Sequence, residues 1–178
     1  MLHGKRIVGC FLILASLLVG FGLPKNIQKK VEKEVNKVFE VSTFSMTPVE
    51  VPASLNAKLP AKISEDNFFK LLNQDNLLGY VFVDQAPSKT AKFDYLVVFD
   101  QQLKVVHSKV LIYREEYGGE IGSKRWLKQF LGKTGKDRVN YETNIDAISG
   151  ATISVRSMTM SMDKLLQTIG ILQENEVL

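Results

Sequence analysis

The sequence predicts an α+β domain, a twisted and mostly antiparallel sheet packed on helices, behind an N-terminal transmembrane helix. Three observations predict it. Residues 78–83, 93–99 and 103–113 are runs rich in β-branched and aromatic side chains. Only Asp100, Gln101 and Gln102 separate the last two runs, a hairpin spacing; a parallel pair would need a crossover of a dozen residues or more. Residues 153–169 instead read as a long helix, and residues 7–23 are free of charge and rich in Leu, Val, Ile and Phe.

Taken in order, residues 1–6 are short and basic, and about 17 apolar residues then reach the lower end of what spans a bilayer. The exit Val19-Gly20-Phe21-Gly22-Leu23-Pro24 lacks a small-x-small cleavage site. Residues 1–23 are therefore expected to be an uncleaved anchor in the cell membrane. Lys5 and Arg6 favour an inside N-terminus, whereas Lys25, Lys29, Lys30 and Lys33 on the far flank favour the opposite orientation.

Residues 24–60 are expected to form a stalk helix and a linker. Ile27, Val31, Val35 and Val38 recur at helical spacing over residues 26–40. The opposite face is Lys/Glu, and Glu32, Glu34 and Glu40 favour a solvated stalk over a helix lying on anionic headgroups. Pro48, Pro52 and Pro60 make residues 41–60 an extended linker.

The domain is expected over residues 61–178. Ser64 with Glu65 and Asp66 predicts a helix start, with Phe68, Phe69, Leu71 and Leu72 as its buried face. After the three strands, Ser123 is placed to cap a short helix through Trp126, Leu127, Phe130 and Leu131, closed by Gly132. Gly170 is expected to end the last helix.

Composition excludes several classes. Net charge is +4 with 24% charged residues, but the bases are scattered among acids without a base-stacking stripe, so no nucleic-acid partner is expected. The single cysteine, Cys10, leaves no internal disulfide, and no Cys/His cluster has metal-ligand spacing. No catalytic dyad stands out.

The informative stretch is Asp146-Ala147-Ile148-Ser149-Gly150-Ala151-Thr152, which leads directly into the last helix. A turn of small residues at a helix N-terminus exposes unpaired amides and the positive end of the dipole, which suits a phosphate. The same properties also describe a ligand-free N-cap turn, with Ser149 or Thr152 as the cap. The residue order resembles the flavinylation motif of the FMN-binding domain family, which includes the covalently flavinylated subunits of sodium-translocating NADH:quinone reductase and of Rnf electron-transport complexes. Asp146, Ser149, Gly150, Ala151 and Thr152 match, while Ala147 stands where the family often has Gly. By average usage, five such matches recur in roughly one chain of this length per few thousand. A second stretch, residues 113–122, resembles the family's loop after its central strands, with Glu116 in the place of its acid and Gly118 and Gly119 nearby. Tyr113 or Arg114 replaces that loop's His, and Tyr117-Gly118 replaces Thr-Pro.

The resemblance implies FMN held on Thr152 as a phosphoester, with Ser149, Gly150 and Ala151 around it. It implies that Asp146 is read by a flavin transferase, and that Glu116, Gly118 and Gly119 border the flavin. Because the transferase works outside the cytoplasm, it implies an extracytoplasmic C-terminal domain, against the count of flanking lysines. The expected role is electron relay from a membrane redox subunit, a module more than a self-contained enzyme. Two alternatives stay open: an anchored, flavin-free binding or scaffold domain, and a reductase acting directly on an extracellular substrate.

Overall fold

Side chains alternate along the central strands so that both faces of the sheet are apolar. On β4 (Lys92–Asp100), Phe93, Tyr95, Val97 and Phe99 enter one core while Leu96 and Val98 enter another. β3 (Asn76–Pro87) divides the same way, Tyr80 and Phe82 against Val81 and Val83. A strand buried on both faces needs a layer on each. Two helices supply them. α4 (Thr152–Glu174) brings Val155, Met158, Met162, Leu165 and Leu166 to the first core. α1 (Lys25–Phe39) brings Ile27, Val31 and Val35 to the second.

The computed structural model describes residues 22–178. The predicted anchor, residues 7–23, lies outside the described residues apart from its last two positions. Among the described residues, no helix is long and apolar enough to cross a membrane. The sheet is a meander in the order β1-β2-β3-β4-β5, every pair antiparallel, with β1 Ser45–Pro48, β2 Phe68–Asn73 and β5 Val105–Ile112. The three predicted strands correspond to β3, β4 and β5, and their antiparallel pairing is as expected.

Three local readings are corrected. The stretch Phe68, Phe69, Leu71 and Leu72 is strand β2, not a helix. Phe68 enters one core and Phe69 and Leu71 the other. A run apolar on both faces has no distinguishing period, so pairing with β3 decided its state. Residues 24–60 are not a free stalk and linker: α1 packs on the sheet, β1 pairs with β2, and a short helix, α2 (Ala53–Asn56), follows. Gly170 does not end α4, which runs on to Glu174. Its missing side chain instead admits another backbone, since a Cβ there would lie 2.7 Å from the Gly135 carbonyl oxygen.

Candidate functional site

The N-terminus of α4 is left open. Ala151 is its N-cap residue and no side chain caps it. The turn before it closes through the Ala151 amide donating to the Ile148 carbonyl at 3.1 Å, with Gly150 at φ 78°. The first helical bond runs from the Val155 amide to the Ala151 carbonyl at 2.9 Å. The amides of Thr152, Ile153 and Ser154 precede that bond at the positive end of a 23-residue helix. Thr152 is exposed, the first residue of the helix and not its cap, so its hydroxyl is free of the capping role open to it in the sequence.

Neighbouring elements fix this terminus. Trp126, on α3 (Lys124–Leu127), donates its indole N–H to the Asp146 carbonyl at 2.7 Å. The Asp146 amide donates to Gln129 Oε1 at 2.8 Å. The backbone of Asp146 is thus gripped on both sides while the residue stays exposed. Behind α4, the Tyr113 hydroxyl donates to the Tyr117 carbonyl at 3.1 Å and stands 3.0 Å from Ser154 Oγ. Ser154 is 3% exposed, so the second hydroxyl of the helix start is engaged inside the fold. Gly118, at φ 83°, brings the β5 loop onto the turn: a Cβ there would lie 3.0 Å from the Ala151 Cβ and 2.9 Å from the Tyr113 hydroxyl.

The facing wall is the β3–β4 turn, and Glu115 latches it. Its carboxylate accepts from Ser88 Oγ at 2.6 Å, the Thr90 amide at 2.7 Å, Thr90 Oγ1 at 2.9 Å and the Ala91 amide at 3.1 Å. The Ser88 hydroxyl and the Thr90 amide lead the donors that pull the Glu115 carboxyl down to about 2. Beside it, Arg114 pairs with buried Asp94 at 2.5 Å.

These elements enclose a cleft of about 680 Å³. Gly150, Ala151, Thr152, Ile153 and Ser154 form one side; Lys89, Thr90, Tyr113, Glu115, Glu116 and Tyr117 form the rest. Of the residues singled out in the sequence, Thr152, Gly150, Ala151 and Glu116 meet here. Gly118 touches Ala151 from the side, whereas a Cβ on Gly119 would meet nothing within 4 Å. Ser149 and Asp146 turn into a second cleft of about 630 Å³, with Arg125, Trp126 and Lys128. Sequence reasoning missed Lys89, Thr90 and Glu115, and placed Tyr113 only as a replacement for the loop's His. The only sequence signal for the first two was a polar turn between strands.

The cleft fits a phosphate-bearing ligand of nucleotide size. Its volume lies in the usual range of about 300–1,000 Å³ for small-molecule sites. The uncapped helix end offers its free amides to an anion. Tyr117 and Ile153, 75% and 51% exposed, offer apolar surface to a ring system, and Lys89 is the only cation in the lining.

Residues 90–167 match the sequence model of the FMN-binding domain family. That span holds β4, β5, the loop from Tyr113 to Gly122 and the turn from Asp146 to Thr152. Among solved structures, the chain is similar to NqrC of Shewanella oneidensis at 21% identity, over 72% of this chain and 68% of that one, with a TM-score of 0.48. No curated protein matches.

Proposed function

We propose that this chain is a membrane-anchored, extracytoplasmic flavoprotein that carries FMN on Thr152 through a phosphoester and relays electrons in a membrane redox chain. The observation that carries the reading is the open N-terminus of α4, with the exposed Thr152 hydroxyl in the same cleft. A threonyl phosphodiester keeps one negative charge, which the helix end favours by about 0.3–1 kcal/mol. Ser154 is a poorer acceptor because it is buried against Tyr113.

Bound flavin supplies the redox chemistry; the protein supplies position and electrostatics. Thr152 and the adjacent amides hold the phosphate end. Tyr117 and Ile153 offer ring contacts, and Lys89, set on the turn that Glu115 latches, faces the same space. Asp146 and Ser149, on the second cleft, are accessible to a flavin transferase that approaches from outside. A membrane redox subunit is the electron donor in this reading. Extracytoplasmic placement follows from the access that transferase needs.

The test is co-expression with a flavin transferase, then denaturing electrophoresis under ultraviolet light and peptide mass analysis. Wild type and Ser154→Ala fluoresce; Thr152→Ala and Asp146→Ala are dark. A dark wild type alongside a flavinylated control protein would instead favour the flavin-free scaffold. An FMN mass on Ser154 would move the attachment.

A further inference from the structure

The exposed face of α1 carries only one sign of charge, and the fold is what sorts it. The helix contains Lys25, Lys29, Lys30, Lys33 and Lys37 together with Glu32 and Glu34. Ile27, Val31 and Val35 are buried against the sheet. At about 100° per residue, Lys29 and Lys33 stand roughly opposite Val31, with Lys25, Lys30 and Lys37 to either side. All five lysines are exposed, and both glutamates are half-buried. Glu34 is turned toward β5, where its carboxylate lies 3.0 Å from His107 Nε2. Glu32 accepts from Gln28 Nε2 at 2.9 Å. Glu40 is exposed, but it lies past the last turn as the C-cap. The acids that dilute the charge along the sequence are therefore withdrawn from the outward face.

We propose that this lysine face lies on anionic lipid headgroups. Three features select a lipid surface as the occupant. The face is a row of point charges with no apolar anchor among them, which suits headgroups more than a protein hot spot. It extends over about four turns of helix. Finally, α1 starts at Lys25, two residues after the charge-free apolar run 7–23 ends, so whatever membrane holds that run lies next to the start of the lysine face. α4, whose N-terminus lines the flavin cleft, packs on the other face of the sheet. A domain seated on α1 therefore keeps that face in water, open to partners. The inference rests on the anchor proposed above but not on flavin, and it holds for either orientation.

The full chain is reconstituted in nanodiscs of phosphatidylcholine, with or without phosphatidylglycerol. Lysines are then labelled with a water-soluble acylating reagent and read by peptide mass analysis. Lys25, Lys29, Lys30, Lys33 and Lys37 should label about fivefold more slowly on the anionic discs, the equivalent of roughly 1 kcal/mol per lysine near the surface. Lys136 and Lys164, exposed elsewhere, should label equally on both. High salt should remove the difference. The triple variant Lys29→Glu, Lys30→Glu, Lys33→Glu, with unchanged melting, should lose the lipid-dependent protection of Lys25 and Lys37. Equal labelling on the two lipids, or protection that persists in high salt, overturns the proposal. A chain that stays out of the discs refutes the anchor instead. Its sedimentation with vesicles of the same two compositions then decides the lysine face on its own.

Discussion

Two helices flank Asp146, and they begin in opposite ways. α3 is closed: the Trp126 amide donates to the side chain of Ser123, its N-cap, at 3.3 Å. α4 is open, with Ala151 at the cap and no side chain serving its first amides. Suitable hydroxyls are close by. Ser149 falls two residues before the cap position and Thr152 one residue after it, so neither can serve. The short helix is closed and, with the 3-10 turn that continues from it, serves as a clamp, since Trp126 and Gln129 hold Asp146. The long one, with the larger dipole, keeps its anion-binding amides free. α4 thus combines an uncapped start, a braced turn and a cleft, whereas α3 begins as an ordinary capped helix.

The largest effect that could break this contrast is at Thr152. Thr152→Ala should remove all covalent flavin while changing stability by less than about 0.5 kcal/mol, because the exposed side chain caps nothing. Thermal unfolding of the two flavin-free proteins checks the second half. A loss near that of a true cap would mean that Thr152 has a structural role after all.

Gly118 comes next. Alanine there meets Tyr113 and Ala151 at a left-handed backbone position. It should cost about 1–3 kcal/mol and displace the cleft wall. Gly119→Ala, with open space around its Cβ, should stay within about 0.5 kcal/mol. Equal midpoints in urea for the two variants would show that the loop does not bear on the turn.

Ser123→Ala should cost about 0.5–2 kcal/mol, the usual range for a lost cap. It should also raise hydrogen exchange at the Asp146 amide, because its acceptor Gln129 lies on the 3-10 turn that continues directly from α3. Unchanged exchange there would uncouple the closed helix from the open one.

Glu115 sharpens the comparison through pH. Its carboxyl is held at about 2, below its ordinary value of 4.5. A depressed acid contributes stability that is full above 4.5 and lost as pH falls toward 2. Wild type should therefore lose stability more steeply than Glu115→Gln across that window, with exchange at Thr90 and Ala91 rising in step. Parallel pH profiles would show that the latch is not held by the carboxylate.

The smallest effect lies on the far face of the sheet. Burial holds His107 below its ordinary value of 6.5, and Glu34 only partly offsets this. The unfolded chain then takes up the proton first, so stability is full above 6.5 and declines as pH falls below it. His107→Gln should flatten that decline in a thermal melt series without touching the cleft at the start of α4.

The elements most legible in the sequence were those whose periodicity had one interpretation. α4 follows a helical stripe, and β4 is a β-branched and aromatic run bounded by a three-residue turn, so both were readable from local pattern. The turn before α4 was readable because Gly150 and Ala151 stand directly in front of that stripe. β2 was not, because Phe68 and Phe69 serve opposite faces and satisfy either period. Likewise α1 gave its helical period but not its neighbour, since an apolar stripe does not name the surface that covers it.

The sequence by itself determined the order Asp146 to Thr152, the helix that follows, and the strands that pair by short turns, because these depend on residues a few positions apart. Only the tertiary structure decided that Glu115 would latch residues 88–91, some 25 positions upstream. It also decided that Tyr113 would engage Ser154 across 41 positions, and that Glu34 would turn in to His107 across 73. Each of these contacts exists because two apolar faces of the sheet had to be covered. That burial brought distant polar groups together; at Ser154 and His107 the desolvation it imposed required them to pair, whereas the Glu115 latch forms at the surface.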